Sequence, residues 1–431
     1  MTWPAVRLER PPRTLLVAPL ADAPGMAVAT RPDDPRWSVL RLAARPFADD
    51  ASFARAVQRA ADDLFRLDPL GAPPAPARPR AVRSLFVHLT SACNLRCAHC
   101  YVLAEAPAAG PAVLPRARLE AVLDALAPRG LAAVTLSGGE PLLYPGLDPL
   151  VQGCRDRGLA VQLLTNATTV TDDAARRLAA AGVDVSASLH GPDAATHDAL
   201  VGPGSFDAAT RGIRLLAARL GPARLLVNCT LHDDNVALAE ATIQAAAGLG
   251  AGRIRFIPLH RPLPDGPRLD YASAAMLDWA GRAAAGIVGG RFPLRVDPGM
   301  TGRPGARAVG DHDESGCAIG CKLVLAAGGD LYPCALLMAP GDRLGVAGDV
   351  LAVAGGAPLQ ALGDAVQARA ARVEGCRGCL LAGICRGGCP ALPPGAGGRD
   401  PLCAANQAFA RTFFTLAARA RSGATGPSRS A

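Results

Sequence analysis

The chain carries 13 cysteines, and all but Cys154 and Cys229 fall into patterns able to bind metal. Cys93, Cys97 and Cys100 lie within Cys93-Asn94-Leu95-Arg96-Cys97-Ala98-His99-Cys100-Tyr101. Three thiolates so spaced on one short loop can converge on a single metal centre. A four-iron cluster takes four thiolates, so three leave one iron open to a ligand from outside the protein. Zinc would need a fourth protein ligand; His99 offers one, although adjacency to Cys100 hampers its turning to the same ion. A second series follows: Cys317-x3-Cys321-x12-Cys334, then Cys376-x2-Cys379-x5-Cys385-x3-Cys389, then Cys403. These thiolates would fill two four-iron clusters completely, with a pair of zinc ribbons as the alternative. Cys154 falls in a helical stretch and Cys229 beside Asn228, as buried thiols do.

The elements that must position these groups are legible as apolar runs. Strand character marks Ser84 to Thr90, Ala132 to Ser137, Ala160 to Thr165, Val183 to Leu189, Leu225 to Thr230 and Arg253 to Leu259, and Arg291 to Val296 adds a further candidate. Helical spacing marks Arg116 to Leu126, Thr171 to Ala181, Ser205 to Leu220 and Val236 to Leu249. Six strand–helix units in succession predict an α/β fold with a parallel sheet, doubly wound or curled into a partial barrel. Upstream, Gly71 to Arg80 is a proline-rich linker (71–80) that can be neither helix nor inner strand. It closes a small N-terminal α+β module (1–70). There Thr14 to Ala18 and Met26 to Thr30 read as strands, and Ala51 to Leu67 reads as a helix presenting Phe53, Val57, Leu64 and Phe65. The barrel is expected over 81–300, a domain of cysteines, glycines and short segments held together by metal over 315–405, and a solvated tail over 422–431.

Polar motifs end several of the strands. Ser137-Gly138-Gly139-Glu140-Pro141 closes the second, Thr165-Asn166 the third and Ser188-Leu189-His190-Gly191 the fourth, while Asn228 lies in the fifth. Each alone reads as a turn or cap, but ligand groups in barrels collect at the C-terminal ends of the strands.

From Ser84 to Cys403 these motifs together resemble a radical S-adenosylmethionine (radical SAM) enzyme with a C-terminal SPASM domain. The resemblance implies a partial (β/α)6 TIM-type barrel. Cys93, Cys97 and Cys100 would hold a [4Fe-4S] cluster whose open iron binds S-adenosylmethionine. Gly138, Gly139, Glu140 and Pro141 would receive the methionyl group, Asn166, Ser188 and Asn228 the ribose and nearby groups, and His99 and Tyr101 would flank the adenine. Relatives often carry arginine where Val201 stands, so Arg211 or Arg214 would have to substitute. Two auxiliary clusters are implied, an inner one on Cys317, Cys321, Cys334 and Cys389 and an outer one on Cys376, Cys379, Cys385 and Cys403, with Cys321 the ligand some relatives lack. The implied activity is reductive cleavage of S-adenosylmethionine to a 5′-deoxyadenosyl radical, then oxidative modification (crosslink, thioether or similar) of a ribosomally made precursor peptide. The auxiliary clusters would carry the electron outward, and a flavodoxin or ferredoxin would supply the reductant. Sulfatase-maturing relatives have an acidic residue where Ala335 stands, which weakens that alternative; a small-molecule substrate and a non-catalytic metal-binding protein are the others. The N-terminal module would recognise peptide, as a small winged-helix fold does in relatives, or merely cap the barrel or dimerise.

Composition bounds these readings. The formal charge is +8, yet Lys322 is the single lysine and no basic run interleaves with aromatics, which argues against a nucleic-acid partner. The first residues lack an apolar signal core and no apolar run reaches the ~20 residues that span a bilayer. A cytoplasmic protein without a membrane partner is expected, and in a reducing compartment cysteines serve metals more readily than disulfides.

Overall fold

A computed structural model describes residues 6–10, 13–19, 26–31, 34–41, 49–59, 81–100, 102, 110–260, 266–300, 317, 319–376, 379–381, 385, 387–392, 394 and 398–423. The expected linker over 71–80, Leu64, Phe65, Tyr101 and most of the expected tail lie outside them.

Near the N-terminus, β1 (Val6–Arg10), β2 (Arg13–Pro19), β3 (Met26–Arg31) and β4 (Asp34–Arg41) form an antiparallel sheet in that order, followed by helix α1 (Asp50–Arg59). The sequence pattern predicts only β2 and β3. The outer strands β1 and β4 carry several charged residues and pair on one side only, as the edges of the sheet.

The second sheet builds the body of the protein. Its strands are β5 (Ser84–Thr90), β6 (Ala133–Gly138), β7 (Ala160–Thr165), β8 (Asp184–Ser188), β9 (Leu225–Leu231), β10 (Arg253–Pro258) and β11 (Arg295–Asp297), all in parallel, with β12 (Lys322–Leu325), β13 (Asp330–Tyr332) and β14 (Gly345–Val346) beyond β5. Helices α2 (Arg116–Leu126), α3 (Leu147–Asp156), α4 (Asp172–Ala180), α5 (Ala194–Val201), α6 (Ser205–Leu220) and α7 (Ala239–Gly248) intervene between these strands. On β5 the residues Leu85, Val87 and Leu89 are fully buried in the helix-side core, while Phe86 and His88 share the opposite face with rings 5.6 Å apart. That face is enclosed by curvature. Lys322 on β12 feels the charge of Arg255 on β10, although five strands separate them in the sheet order. A flat sheet would hold those strands some 28 Å apart at ~4.7 Å per strand, so the sheet curls into a partial barrel, as the resemblance implies.

The cysteine-rich region is joined to the barrel sheet: β12 pairs in parallel with β5, Lys322 opposite Ser84, and so extends it. It also contains regular helices, α9 (Val350–Gly355), α10 (Ala357–Arg372) and α11 (Cys403–Gly423), in addition to α8 (Ala274–Val288) of the barrel. The alanine content of α8 and α10 blurs the contrast between their faces, which hides the helical period. Helices α8 and α11 pack along one another. Trp279 of α8 is fully buried, 5.0 Å from the Phe256 ring, and its Nε1 donates to the Pro298 carbonyl at 3.3 Å. On the other side of α11, Ala410, Phe414 and Ala418 join Leu380, Leu381, Ala18 and Val28 in a second buried cluster. The N-terminal sheet is thereby fastened to the cysteine-rich end of the molecule.

Candidate functional site

The loop carrying Cys93, Cys97 and Cys100 leaves the C-terminal end of β5 and is pinned on three sides. Thr90 Oγ1 accepts from Ala92 N at 3.0 Å and donates to the Ala112 carbonyl at 3.0 Å. Ser91 Oγ accepts from Ala112 N at 2.8 Å, and Ala98 N donates to the Leu200 carbonyl at 2.9 Å at the end of α5. The third anchor is the Gly138-Gly139-Glu140 turn: Gly139 N donates to the Thr90 carbonyl at 2.6 Å and Glu140 N to the Ala92 carbonyl at 2.8 Å. This approach explains both glycines. A Cβ on Gly139 would stand 2.0 Å from Ala92 O, and Gly138 has φ +124° with Thr90 O 2.3 Å from an added Cβ.

Glu140 is fully buried, and its carboxylate is spent inside the protein. It accepts from Thr165 Oγ1 at 2.7 Å, Asn166 N at 2.8 Å and Leu142 N at 3.1 Å. Burial raises its pKa against those bonds. Its visible work is to tie the end of β6 to the end of β7, while Pro141 opens the turn of 3-10 helix that follows. Asn166 stands next to the cysteine loop, its Nδ2 donating to Asn94 Oδ1 at 3.0 Å and approaching Cys93 Sγ at 3.9 Å. Ser188 ends β8 and is the register partner of Asn228 in the middle of β9. Asn228 Oδ1 and His99 Nδ1 are buried without a hydrogen-bond partner, as groups awaiting a ligand would be. Arg211 and Arg214 do not join them: both are exposed on α6, whose buried face carries Ala209, Gly212, Ile213 and Leu216.

The three thiols of the loop interact electrostatically. Burial and the neighbouring Cys100 and Cys93 push the Cys97 thiol up to about 12, and burial raises Cys93. Thiols gathered where each disfavours ionisation of the next suit a cationic centre, since metal binding drives deprotonation of the coordinating thiol.

Sequence reading missed a histidine group that braces this loop. The His99 ring lies 4.8 Å from His190, and His190 lies 5.6 Å from His197. His190 Nδ1 accepts from Thr230 N at 3.0 Å, and His190 N donates to His197 Nδ1 at 3.1 Å. Asn235 Nδ2 secures the same turn on the carbonyls of His190 and Thr230, at 2.9 and 2.8 Å. Burial holds His99 and His197 down at about 4 and His190 well below its usual value, so these imidazoles are neutral. No local motif signals the group, because the chain from α2 to β8 intervenes between His99 and the other two.

The later cysteines gather in two places. Cys376, Cys379, Cys385 and Cys403 line one small cavity. Asn406 and Gln407 of α11 add amide donors, Gln407 Nε2 to Cys403 Sγ at 3.6 Å and Asn406 Nδ2 to Cys385 Sγ at 3.9 Å. Elsewhere Cys334 acts on both Cys389 and Lys322, and Cys317 acts on Lys322. Cys321 holds the start of β5, its carbonyl accepting from Arg83 N at 2.8 Å. Asp400, also missed, joins the two places: its carboxylate accepts from Cys389 N at 2.5 Å and from Leu402 N, next to Cys403, at 2.6 Å. Among the described residues no three His, Cys, Asp or Glu side chains close around a single ion. A cubane asks for something different, each thiolate binding its own iron, and the donor sets fit that group in kind and number.

Comparison with known proteins agrees with this geometry. Residues 87–244 match the radical SAM superfamily. The chain is 34% identical over 177 residues to an AdoMet-dependent heme synthase of Methanosarcina barkeri, covering 41% of this chain and 50% of that protein. It is 31% identical over 336 residues to a mycofactocin maturase MftC of Mycobacterium ulcerans, covering 73% of this chain and 86% of that protein. The first of these matches thus spans about half of its relative's length. Among solved structures, Streptococcus suis SuiB bound to S-adenosylmethionine superposes with a TM-score of 0.57 at 18% identity, covering 80% of this chain and 79% of that one. SuiB bound to its precursor peptide SuiA gives 0.56 at 16% identity, covering 90% and 96%. Similarity at that level carries the fold alone, whereas the identity to the maturase extends over most of both chains: the protein belongs to the radical SAM superfamily.

Proposed function

We propose that the protein modifies a ribosomally made precursor peptide oxidatively, using one cluster on Cys93, Cys97 and Cys100 and two auxiliary clusters on the later cysteines. The observation that carries this reading is the gathering of the cysteines into three places, one with three thiols at the barrel's open end and one with four around a cavity. With S-adenosylmethionine bound at the open iron, the first cluster would supply a 5′-deoxyadenosyl radical. The protein's part is positional. Gly138 and Gly139 bring the β6 turn against the loop, Glu140 locks β6 to β7, and Asn166, Ser188, Asn228 and His99 offer polar atoms to the cofactor. The substrate would lie over the curled face of the sheet, where Phe86, His88 and Arg255 stand.

Two relatives support a peptide substrate, a protein named a mycofactocin maturase and SuiB, solved with a precursor peptide. Ala335 in place of an acidic residue speaks against sulfatase maturation. A tetrapyrrole substrate is the second reading, favoured by the relative named a heme synthase. The N-terminal sheet, fastened to α11, is proposed as the peptide-recognition module, and a flavodoxin or ferredoxin as electron donor. No helix among the described residues is long and apolar enough to cross a membrane; a cytoplasmic location is proposed.

The test is anaerobic reconstitution with iron and sulfide analysis, then addition of reductant, S-adenosylmethionine and the short peptide encoded nearest the gene. About twelve irons per chain, three clusters of four, with release of 5′-deoxyadenosine and loss of hydrogen mass from the peptide, is the expected result. Deoxyadenosine release that responds to a porphyrin precursor and not to the peptide would transfer the reading to the tetrapyrrole class. Zinc without deoxyadenosine would refute both.

A further inference from the structure

Four side chains on the inner face of the barrel lie in one row across adjacent strands. Ser188 on β8 is the register partner of Asn228 on β9, Asn228 of Arg255 on β10, and Arg255 of Asp297 on β11. Their chain neighbours fix the face: Ala187, Val227, Ile254 and Val296 are buried in the helix-side core, and side chains alternate across a strand, so the row looks into the barrel. Arg255 Nε stands 3.4 Å from Asp297 Oδ2, and the two side chains keep 33% and 41% of their surface exposed. Strands flank Arg255 on both sides, so exposure on this curled face means open space inside the barrel. Ile257, two residues further along β10, faces the same way and is 36% exposed. Asn228 Oδ1, beside them, is buried without a hydrogen-bond partner. Together β10 and β11 hold three arginines against one aspartate, so Asp297 orients Arg255 without neutralising the strand pair.

We propose that Arg255 binds a carboxylate of the substrate peptide, with Ile257 against the apolar part beside it, and so fixes which residue of the peptide meets the radical. The proposal rests on the peptide-modifying reading above and names the group by which that peptide is held. A guanidinium steadied through Nε by one carboxylate can present its two Nη atoms to another, and that paired geometry sets direction as well as strength. In a partly enclosed site the attraction is weakly screened. The cofactor is the poorer occupant. Its one carboxylate belongs, in the reading above, with the methionyl group at the β6 turn, and β10 lies four strands from β6 in the sheet order. The ribose that Ser188 and Asn228 would meet has no charge to offer a guanidinium.

The experiment follows turnover of the short peptide encoded nearest the gene by the anaerobically reconstituted full chain, unaltered and as Arg255→Gln. Three peptides are compared: the natural one, one with every Asp and Glu replaced by Asn and Gln, and one with its C-terminal carboxyl amidated. Arg255→Gln should raise KM for the natural peptide by about tenfold or more, as loss of one side of an enclosed charged pair does. KM for S-adenosylmethionine, and deoxyadenosine release without peptide, should stay at the level of the unaltered protein. One of the two altered peptides should show the same rise with the unaltered protein and no further rise with Arg255→Gln. Which peptide does so tells a side-chain carboxylate from the chain terminus. An unchanged KM for the natural peptide, or losses that multiply instead of coinciding, overturns the proposal. A rise in KM for S-adenosylmethionine alone also overturns it and gives Arg255 to the cofactor. If Arg255→Gln is recovered short of iron, Arg255→Met takes its place under the same criteria. Unaltered protein that releases deoxyadenosine and leaves the mass of the natural peptide unchanged would instead refute the peptide reading, before any Arg255 variant is made.

Discussion

Gly139→Ala is the sharpest test of how the barrel holds its cysteine loop. The new Cβ would lie 2.0 Å from Ala92 O and 2.6 Å from Ala92 C. Ordinary contact begins near 3.4 Å, so loop and turn must part by at least about 1.4 Å. That movement stretches the 2.8 Å bond from Glu140 N to Ala92 O beyond use. Overpacking typically costs about 1–3 kcal/mol and a lost backbone bond about 1 kcal/mol, which together put the stability loss at about 2–4 kcal/mol. Ala92 adjoins Cys93, so the displacement passes to the first thiolate. A 1 Å misplacement near the chemistry can cost on the order of 100-fold in rate. Denaturant unfolding gives the first quantity and 5′-deoxyadenosine release under reducing, anaerobic conditions the second. Gly248→Ala, whose Cβ would meet nothing within 4 Å in α7, is the control and should be neutral or slightly stabilising. A Gly139→Ala protein matching wild type in both measurements would refute the close docking of turn and loop.

Phe414→Ala empties the cluster shared by α11 and the N-terminal sheet, where Phe414 is fully buried; a loss of about 3–5 kcal/mol should come with faster proteolysis within β2 and β3, and unchanged protection there would contradict the packing. Cys379→Ser should remove about four irons per chain and spare the rest, while an unaltered iron count would separate Cys379 from the cavity it lines. His88, His190 and His197 are buried with pKa values below the usual 6.5, about 4 for His88 and His197. The unfolded chain therefore binds the extra protons, and the stability these residues contribute is present above pH 6.5 and is lost as pH falls towards 4. Three such groups give a slope of up to about 4 kcal/mol per pH unit, checked by urea unfolding across that window with imidazole hydrogen exchange by mass spectrometry; stability flat with pH would deny the burial.

What sequence could yield depended on contrast. Helices α2 and α6 emerge at the very residues their apolar spacing marks, because Leu119, Val122, Leu123 and Leu126, or Ile213, Leu216 and Leu220, stand out against arginine neighbours. Strands β12 to β14 run four, three and two residues, too short to show any period, and they exist only because β5 leaves an edge to pair with. The Gly138-Gly139 pair was legible as a turn, but not its close approach to Thr90 and Ala92. His190 and His197 read as ordinary turn and helix residues, since only the parallel crossovers bring the end of β8 and α5 to the cysteine loop. Asp400 was invisible for the same reason: its two acceptor bonds go to backbone, which no side-chain motif announces.

The pairing of β12 with β5 has a consequence for how such proteins can be divided. A chain cut near residue 300 would not be a clean barrel lacking an accessory domain. It would expose Ser84 to Val87 as an unpaired parallel edge, the kind of surface that recruits strands from other copies. It would also lose the helix that buries one side of α8. Exchange of cysteine-rich regions between relatives therefore has its natural joint after β14, where the chain leaves the sheet, and a graft made there would carry the Lys322 strand along with the barrel it completes.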